Sequence, residues 1–175
     1  MSLVETVSIA ESLLAEFEQE AKTTRKFLEQ LPEDMLQWKP HPKSMTAGQL
    51  ALHIATAPGG IIKMASLDEM PIPDFGRPNP QPENLSEIIA AFEASISMVQ
   101  ETLPTFSDEQ MLAIWRMTRD GKEVVAMPRV AVCRSFLLNH WYHHRGQFGV
   151  YLRMLGAKVP SSYGPSGDEL PDFAK

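Results

Sequence analysis

Apolar residues recur every three or four positions along four separate stretches of this chain, and prolines fall between the stretches. That spacing places side chains on one face of an α-helix, so each stretch predicts an amphipathic helix with one buried face. The first helix includes Leu3 and ends before Pro32, since proline lacks the backbone donor that a helix interior requires. Four such helices with little strand signal predict an all-α four-helix bundle.

The second helix has the clearest start signal. Thr46 and Gln49 have the spacing of a capping box, in which a hydroxyl and an amide satisfy free backbone donors reciprocally. The apolar stripe behind this cap runs over residues 47–65. Pro58, followed by two glycines, predicts that this helix is kinked or ends early.

The third and fourth helices are bounded in the same way. The third begins at Asn84 or Ser86 and stops at Pro104. The fourth covers about 128–155, because proline is accepted in a first helical turn, and Gly156 follows as its C-cap.

The connections carry their own signals. Five prolines between positions 70 and 83 predict a long extended crossover loop, which permits a non-sequential arrangement of helices. Ser107 and Gln110 predict one short capped turn. Asp120-Gly121, flanked by β-favouring residues within 114–127, predicts a small β-like excursion before the last helix.

Length, charge and composition exclude several classes of protein. A length of 175 residues predicts one domain, residues 1–175. The net charge of −6 argues against binding nucleic acid or an anionic membrane surface, and no apolar run is long enough to span a bilayer. The first residues lack the order of a secretory signal, so we expect a cytoplasmic protein. The single cysteine, Cys133, excludes an internal disulfide framework and a Cys-rich zinc site.

Two histidines on the fourth helix indicate a metal site. His140 and His144 are four residues apart, so both imidazoles project from one face, which also carries Cys133 and Phe148. The pair is therefore expected to point into the bundle, where imidazoles without partners are costly. A divalent cation satisfies them, and so do ordinary hydrogen bonds to carbonyls or carboxylates.

A third ligand is expected from the second helix. His53 lies on the shoulder of the apolar stripe of that helix, and His143 is its competitor, although His143 points about 100° away from His144. Three imidazoles leave a coordination position open, which is the catalytic pattern. His41 is expected to be a solvated loop residue. Cys133 lies about 10 Å along the helix from His140 and is expected to be a small core residue.

The chain also resembles the DinB/YfiT-like superfamily. The resemblance rests on four blocks and on the closing segment 151–164: Trp38-Lys39-Pro40, Ser44-Met45-Thr46, Leu50-Ala51-Leu52-His53-Ile54 and Asn139-His140-Trp141-Tyr142-His143-His144-Arg145-Gly146-Gln147. It implies a four-helix bundle with an up-up-down-down course, a homodimer, and a divalent metal held by His53, His140 and His144. An apolar flank of the fourth helix, which includes Val132, Phe136, Val150 and Met154, agrees with a dimer.

The function that this resemblance implies is metal-dependent catalysis on a small molecule. Relatives include hydrolases and S-transferases that use low-molecular-weight thiols, so the ion (Zn, Ni, Cu or Fe) is expected to activate a thiol or a water. Arg145 and Gln147 adjoin the histidines and are candidates for binding or orienting a cofactor or substrate. A surface salt bridge for Arg145 and an ordinary helix amide for Gln147 are the alternatives.

Two other functions remain open from the sequence. The first is a non-catalytic, metal-containing stress-response binding protein. The second is a structural bundle whose histidines are only hydrogen-bonded. Metal analysis separates the last alternative from the others, and turnover with a panel of cellular thiols separates enzyme from binding protein.

Overall fold

A computed structural model describes residues 7–74 and 76–174 and confirms the predicted four-helix bundle. The sequence predicts a first helix that already includes Leu3, but α1 begins only at Ile9, because Ser8 and Glu11 form a capping box that starts the helix there; Leu3 itself lies outside the described residues. The helices are α1 (Ile9–Leu28), α2 (Ala47–Ala65), α3 (Leu85–Thr102), the short α4 (Asp108–Leu112), α5 (Arg129–Val132) and α6 (His140–Met154). A π-helical segment, Cys133–Asn139, joins α5 to α6, so residues 129–154 form one last helix.

The helix starts are capped as the sequence predicts. Thr46 and Gln49 form a reciprocal capping box at α2, and Ser107 and Gln110 form another at α4. Of the two candidate caps for α3, Asn84 is the one whose side chain accepts the backbone N–H of residue 87. Gly156 follows the last helix with φ +71°, a left-handed conformation that ends helices.

The directions of the helices differ from the course that the resemblance implies. The Tyr151 hydroxyl donates to Met45 O at 3.2 Å, and Arg129 Nε donates to Ala65 O at 2.6 Å. The two ends of α2 therefore meet opposite ends of the last helix, and these helices are antiparallel.

The other helices complete an up-down-down-up order. Gly48 lies against Pro82, and Gly59 N donates to Ser95 Oγ at 2.6 Å, so α2 and α3 run parallel. The predicted up-up-down-down course is therefore wrong. The cause is the extended, proline-rich crossover, which returns the chain to the starting end of α2 before α3 begins.

Helix α2 does not end early at Pro58, which corrects that alternative of the prediction. The helix continues to Ala65 with Pro58 inside it. Proline leaves the carbonyl four residues earlier, that of Ile54, without its helical donor. The indole Nε1 of Trp141 donates to that carbonyl at 2.9 Å.

A small sheet lies at the end of the bundle where α2 finishes. Strands β2 (Ile114–Arg119) and β3 (Lys122–Pro128) form the predicted hairpin, in which Asp120 and Gly121 both have positive φ. Strand β1 (Glu69–Pro71) pairs in parallel with β2, and the sequence did not predict it.

The core lies between the four long helices and is dominated by aromatic and aliphatic side chains. Trp141 stacks on Phe17 with ring centroids 5.0 Å apart, and Phe92 lies near the same indole at 6.4 Å. Other fully buried members include Leu28, Leu50, Ile54, Ile62, Ile88, Leu137 and Phe148. No helix in the described parts of the chain is both long and apolar enough to cross a bilayer.

The segment after α6 packs across the bundle. Tyr163 donates to Glu20 Oε2 on α1 at 3.1 Å, and Asp168 pairs with Arg153 of α6 at 2.7 Å. Pro160 is buried beneath this crossing. The tail therefore covers parts of α1 and α6.

Candidate metal centre

Three histidines from two helices form the candidate site, and we call them the histidine triad. His53 lies in the middle of α2, whereas His140 and His144 occupy the start of α6, directly after the π-helical segment. The one-turn spacing within α6 puts His140 and His144 on one face, and the antiparallel packing of α2 brings His53 opposite them.

The Nε2 atoms of the triad converge. His140 Nε2 lies 3.0 Å from His144 Nε2 and 3.4 Å from His53 Nε2. The rings are nearly perpendicular to one another, with interplanar angles between 87° and 90°. The candidate ligand atoms of all three residues lie within 4.8 Å of one another.

These separations suit one shared cation. Tetrahedral zinc with Zn–N bonds of about 2.0–2.1 Å places two ligand nitrogens roughly 3.3–3.4 Å apart. The observed separations of 3.0 and 3.4 Å bracket that value. The triad therefore has the donor type and the spacing that a divalent ion needs.

Burial keeps the triad in the uncharged form. Desolvation, together with a smaller effect of the neighbouring imidazoles of His144 and His140, lowers the pKa of His53 to about 4. Desolvation likewise lowers the pKa of His140 to about 4, with contributions from His144 and His143, and lowers the pKa of His144. The imidazoles are therefore neutral at pH 7, the state in which a ring nitrogen binds metal.

The hydrogen bond at Nδ1 determines whether Nε2 of the same ring is free to bind a metal ion. His144 Nδ1 lies 3.0 Å from Gln147 Oε1, and an amide oxygen only accepts, so Nδ1 carries the proton and Nε2 keeps its lone pair. His140 Nδ1 is buried without a hydrogen-bond partner. Gln147 is thus brought to the triad through its contact with His144.

Arg145 is directed elsewhere. Its guanidinium is 2% exposed and pairs with the Glu20 carboxylate of α1 at 2.5 Å, where it also donates to Thr24 Oγ1 at 3.1 Å. The rings of Tyr142 and Tyr163 flank it at 5.5 and 5.3 Å. The salt-bridge alternative for Arg145 describes this contact, except that the pair is buried rather than on the surface.

The remaining candidates lie outside the triad. His143 is exposed, and its ring touches that of His144 with centroids 4.9 Å apart. His41 is exposed in its loop, where Nδ1 accepts the Lys43 N–H at 3.2 Å. Cys133 is fully buried, and desolvation raises the pKa of its thiol to about 11, so it is an inert core residue.

Sequence reasoning missed two features of the site. The π-helical segment before His140 has no local sequence signature, because it depends on packing against other helices. The hydrogen bond from Trp141 to Ile54 joins positions 87 residues apart, although the proline four residues after Ile54 marks the free carbonyl.

Comparison with known proteins agrees with the fold. A model of the DinB family matches residues 3–171. The uncharacterized protein YrdA of Bacillus subtilis (strain 168) is 30% identical over 162 residues, which cover 91% of each chain.

Solved structures show the same bundle. A DinB-like protein from Bacillus cereus ATCC 10987 is 26% identical, with a TM-score of 0.69 over 87% of this chain and 97% of that one. YfiT from Bacillus subtilis, described as a probable metal-dependent hydrolase with an unusual four-helix bundle topology, has a TM-score of 0.62. At 14% identity over 90% of this chain and 95% of YfiT, that likeness shows the fold alone.

Proposed function

The chain belongs to the DinB family, and from this membership and the convergent imidazoles we propose a metal-dependent enzyme in which His53, His140 and His144 hold one divalent ion. The observation that carries the proposal is the pair of Nε2 separations, 3.0 and 3.4 Å, between side chains of two different helices. Neutral nitrogen donors of this kind suit Zn, Ni or Fe.

When bound, such an ion supplies a Lewis acid that lowers the pKa of a water or a thiol, because three neutral ligands leave its charge undiminished. The protein's own contribution is to hold the three rings in the neutral form and in one orientation. Burial keeps the rings neutral, and the acceptor that Gln147 presents to His144 Nδ1 helps to fix the orientation of that ring.

The reaction that we propose is transfer of a low-molecular-weight thiol to a small electrophile. The triad contains no carboxylate, so it includes no obvious proton acceptor for a water nucleophile. A thiol has an ordinary pKa of about 8.5 and ionises more readily than water, so it depends less on such a group. Hydrolysis is the second candidate, and the description of YfiT as a probable metal-dependent hydrolase favours it.

We further propose that the protein acts as a homodimer. Val150 and Met154 on the last helix are 59% and 57% exposed, although Val132 of the same predicted flank is fully buried in the core. Exposed apolar side chains of this kind fit contact with a second copy. Light scattering that gives a monomer mass at micromolar concentration contradicts this part of the proposal.

Turnover by the metal-loaded protein tests the proposed function. Metal-free protein is reconstituted separately with Zn²⁺, Ni²⁺ or Fe²⁺ and assayed for conjugation of 1-chloro-2,4-dinitrobenzene with several cellular thiols. Ester hydrolysis is measured in the same samples. We expect metal-dependent turnover that His144→Ala abolishes, with loss of bound metal.

The matched control for metal content is His143→Ala, which removes the adjacent imidazole outside the triad and should leave one ion per chain. Metal binding without any turnover would favour a non-catalytic binding protein. Equal metal content in the wild type, His53→Ala and His144→Ala would show that the triad is not the site.

A further inference from the structure

A proline inside α2 leaves one backbone carbonyl available to another helix. Pro58 has no N–H, so the carbonyl of Ile54 lacks the donor that every interior helical carbonyl normally has. Trp141 Nε1 donates to this carbonyl at 2.9 Å, and the contact is buried. The bond crosses directly from the last helix to α2.

This contact lies one residue from two members of the triad. Ile54 follows His53 on α2, and Trp141 follows His140 on α6. We propose that Trp141 and Pro58 are positioning residues, which set the separation and rotation of the two helices so that His53 Nε2 meets His140 Nε2. The inference rests on the proposed function in treating the triad as metal ligands.

The indole is itself firmly held. Its side chain is 1% exposed, and it stacks on Phe17 of α1 at an interplanar angle of 20° and lies beside Phe92 of α3 at 27°. Rings from two other helices therefore fix the direction in which Nε1 points. Because the indole bridges all four helices, the contact transmits the packing of the bundle to the site.

The chain offers a control near the C-terminal end of the same helix. Trp115 is 0% exposed, and its Nε1 donates to the carbonyl of Met64 at 3.1 Å. Met64 also lies on α2, about 15 Å along the axis from Ile54. Trp115→Phe therefore removes a buried indole and its hydrogen bond to α2 at a distance from the triad, although Met64 O also accepts the N–H of Leu67 at 3.2 Å.

The experiment compares the zinc affinity of Trp141→Phe and Trp115→Phe by competition with a chromophoric chelator. Loss of an outer contact that orients ligands typically weakens metal binding 10- to 100-fold. We expect Trp141→Phe to bind zinc about tenfold more weakly, and Trp115→Phe to stay within about twofold of the wild type. Equal affinities in the two variants would overturn the proposal.

A second variant separates positioning from stability. In Trp141→Phe/Pro58→Ala, the new N–H at position 58 can satisfy the Ile54 carbonyl within α2, while the tie between helices stays absent. We expect the urea midpoint to recover relative to Trp141→Phe, with Pro58→Ala alone as the reference, and zinc affinity to remain low. Recovery of affinity together with stability would show that Trp141 is merely structural.

Failure of the proposed function gives a different result. Should wild-type protein bind no zinc, or bind it equally after His53→Ala, the metal proposal fails. The positioning inference is then decided by nuclear Overhauser contacts between the His53 and His140 rings in metal-free protein. Those contacts should persist in Trp115→Phe and disappear in Trp141→Phe; their persistence in both overturns the inference.

Discussion

Replacing Arg145 with methionine should lower the free energy of unfolding by about 3–5 kcal/mol, the usual cost of breaking a buried ion pair from one side. The Arg145 side chain is 2% exposed and that of its partner Glu20 is 13% exposed. Methionine keeps much of the aliphatic stem but supplies no donor, so the Glu20 carboxylate loses its 2.5 Å partner in a poorly hydrated place.

The magnitude follows from the number of contacts that end on one guanidinium. Besides Glu20, it donates to Thr24 Oγ1 at 3.1 Å and to Ser162 Oγ at 3.2 Å. Two tyrosine rings lie 5.5 and 5.3 Å from its central carbon, and a desolvated cation–π contact contributes about 0.5–2 kcal/mol. The upper part of the 3–5 kcal/mol range is therefore the more reasonable expectation.

Urea denaturation followed by circular dichroism measures the effect, and Arg134→Met is the control. Arg134 pairs with Glu16 at 2.7 Å and also joins the last helix to α1, but these side chains are 45% and 36% exposed. Exposed pairs contribute at most about 1 kcal/mol. Equal losses of stability in Arg145→Met and Arg134→Met would show that burial does not set the contribution of these ion pairs.

A double-mutant cycle isolates the pair. Glu20→Gln removes the carboxylate charge, so Glu20→Gln/Arg145→Met no longer leaves an unpaired buried ion. We expect the double variant to lose clearly less stability than the sum of the single variants. Strict additivity would show that the two groups act independently.

Further predictions concern the histidines and the cysteine. Burial holds the pKa of His53 and His140 at about 4, against 6.5 ordinarily, so the unfolded chain binds more protons than the folded chain between these pH values. Metal-free protein should therefore lose stability as the pH falls from 6.5 to 4. A urea midpoint that stays constant over that pH range contradicts this prediction. Gln147→Leu removes the acceptor for His144 Nδ1 and should weaken zinc binding about 10- to 100-fold, whereas Gln147→Glu keeps an acceptor and should bind at least as tightly as wild type in the same chelator competition. Cys133 should react with a thiol reagent only after unfolding, and rapid labelling of native protein at pH 8 would be inconsistent with its burial.

Local sequence signals account for the helices and for the common face of two triad residues. The three-and-four spacing and the caps at Thr46 and Asn84 are read within one or two turns, so the bundle elements could be predicted. The i,i+4 spacing of His140 and His144 fixed their common face, because helix geometry alone determines it.

Features that depend on distant residues could not be predicted. Strand β1 is three residues long and forms only by pairing with β2, more than 40 residues later. The up-down-down-up order depends on how far the crossover carries the chain. The pairing of Arg145 with Glu20 could not be predicted either, because the two residues are 125 positions apart in the sequence.

Anomalous diffraction from crystals of the zinc-loaded protein, recorded at the zinc edge, locates the bound ion relative to the histidine triad. We expect one zinc ion per chain, about 2.0–2.1 Å from the Nε2 atoms of His53, His140 and His144. Zinc bound elsewhere, or ring nitrogens of the triad bonded only to one another with no ion between them, would contradict it.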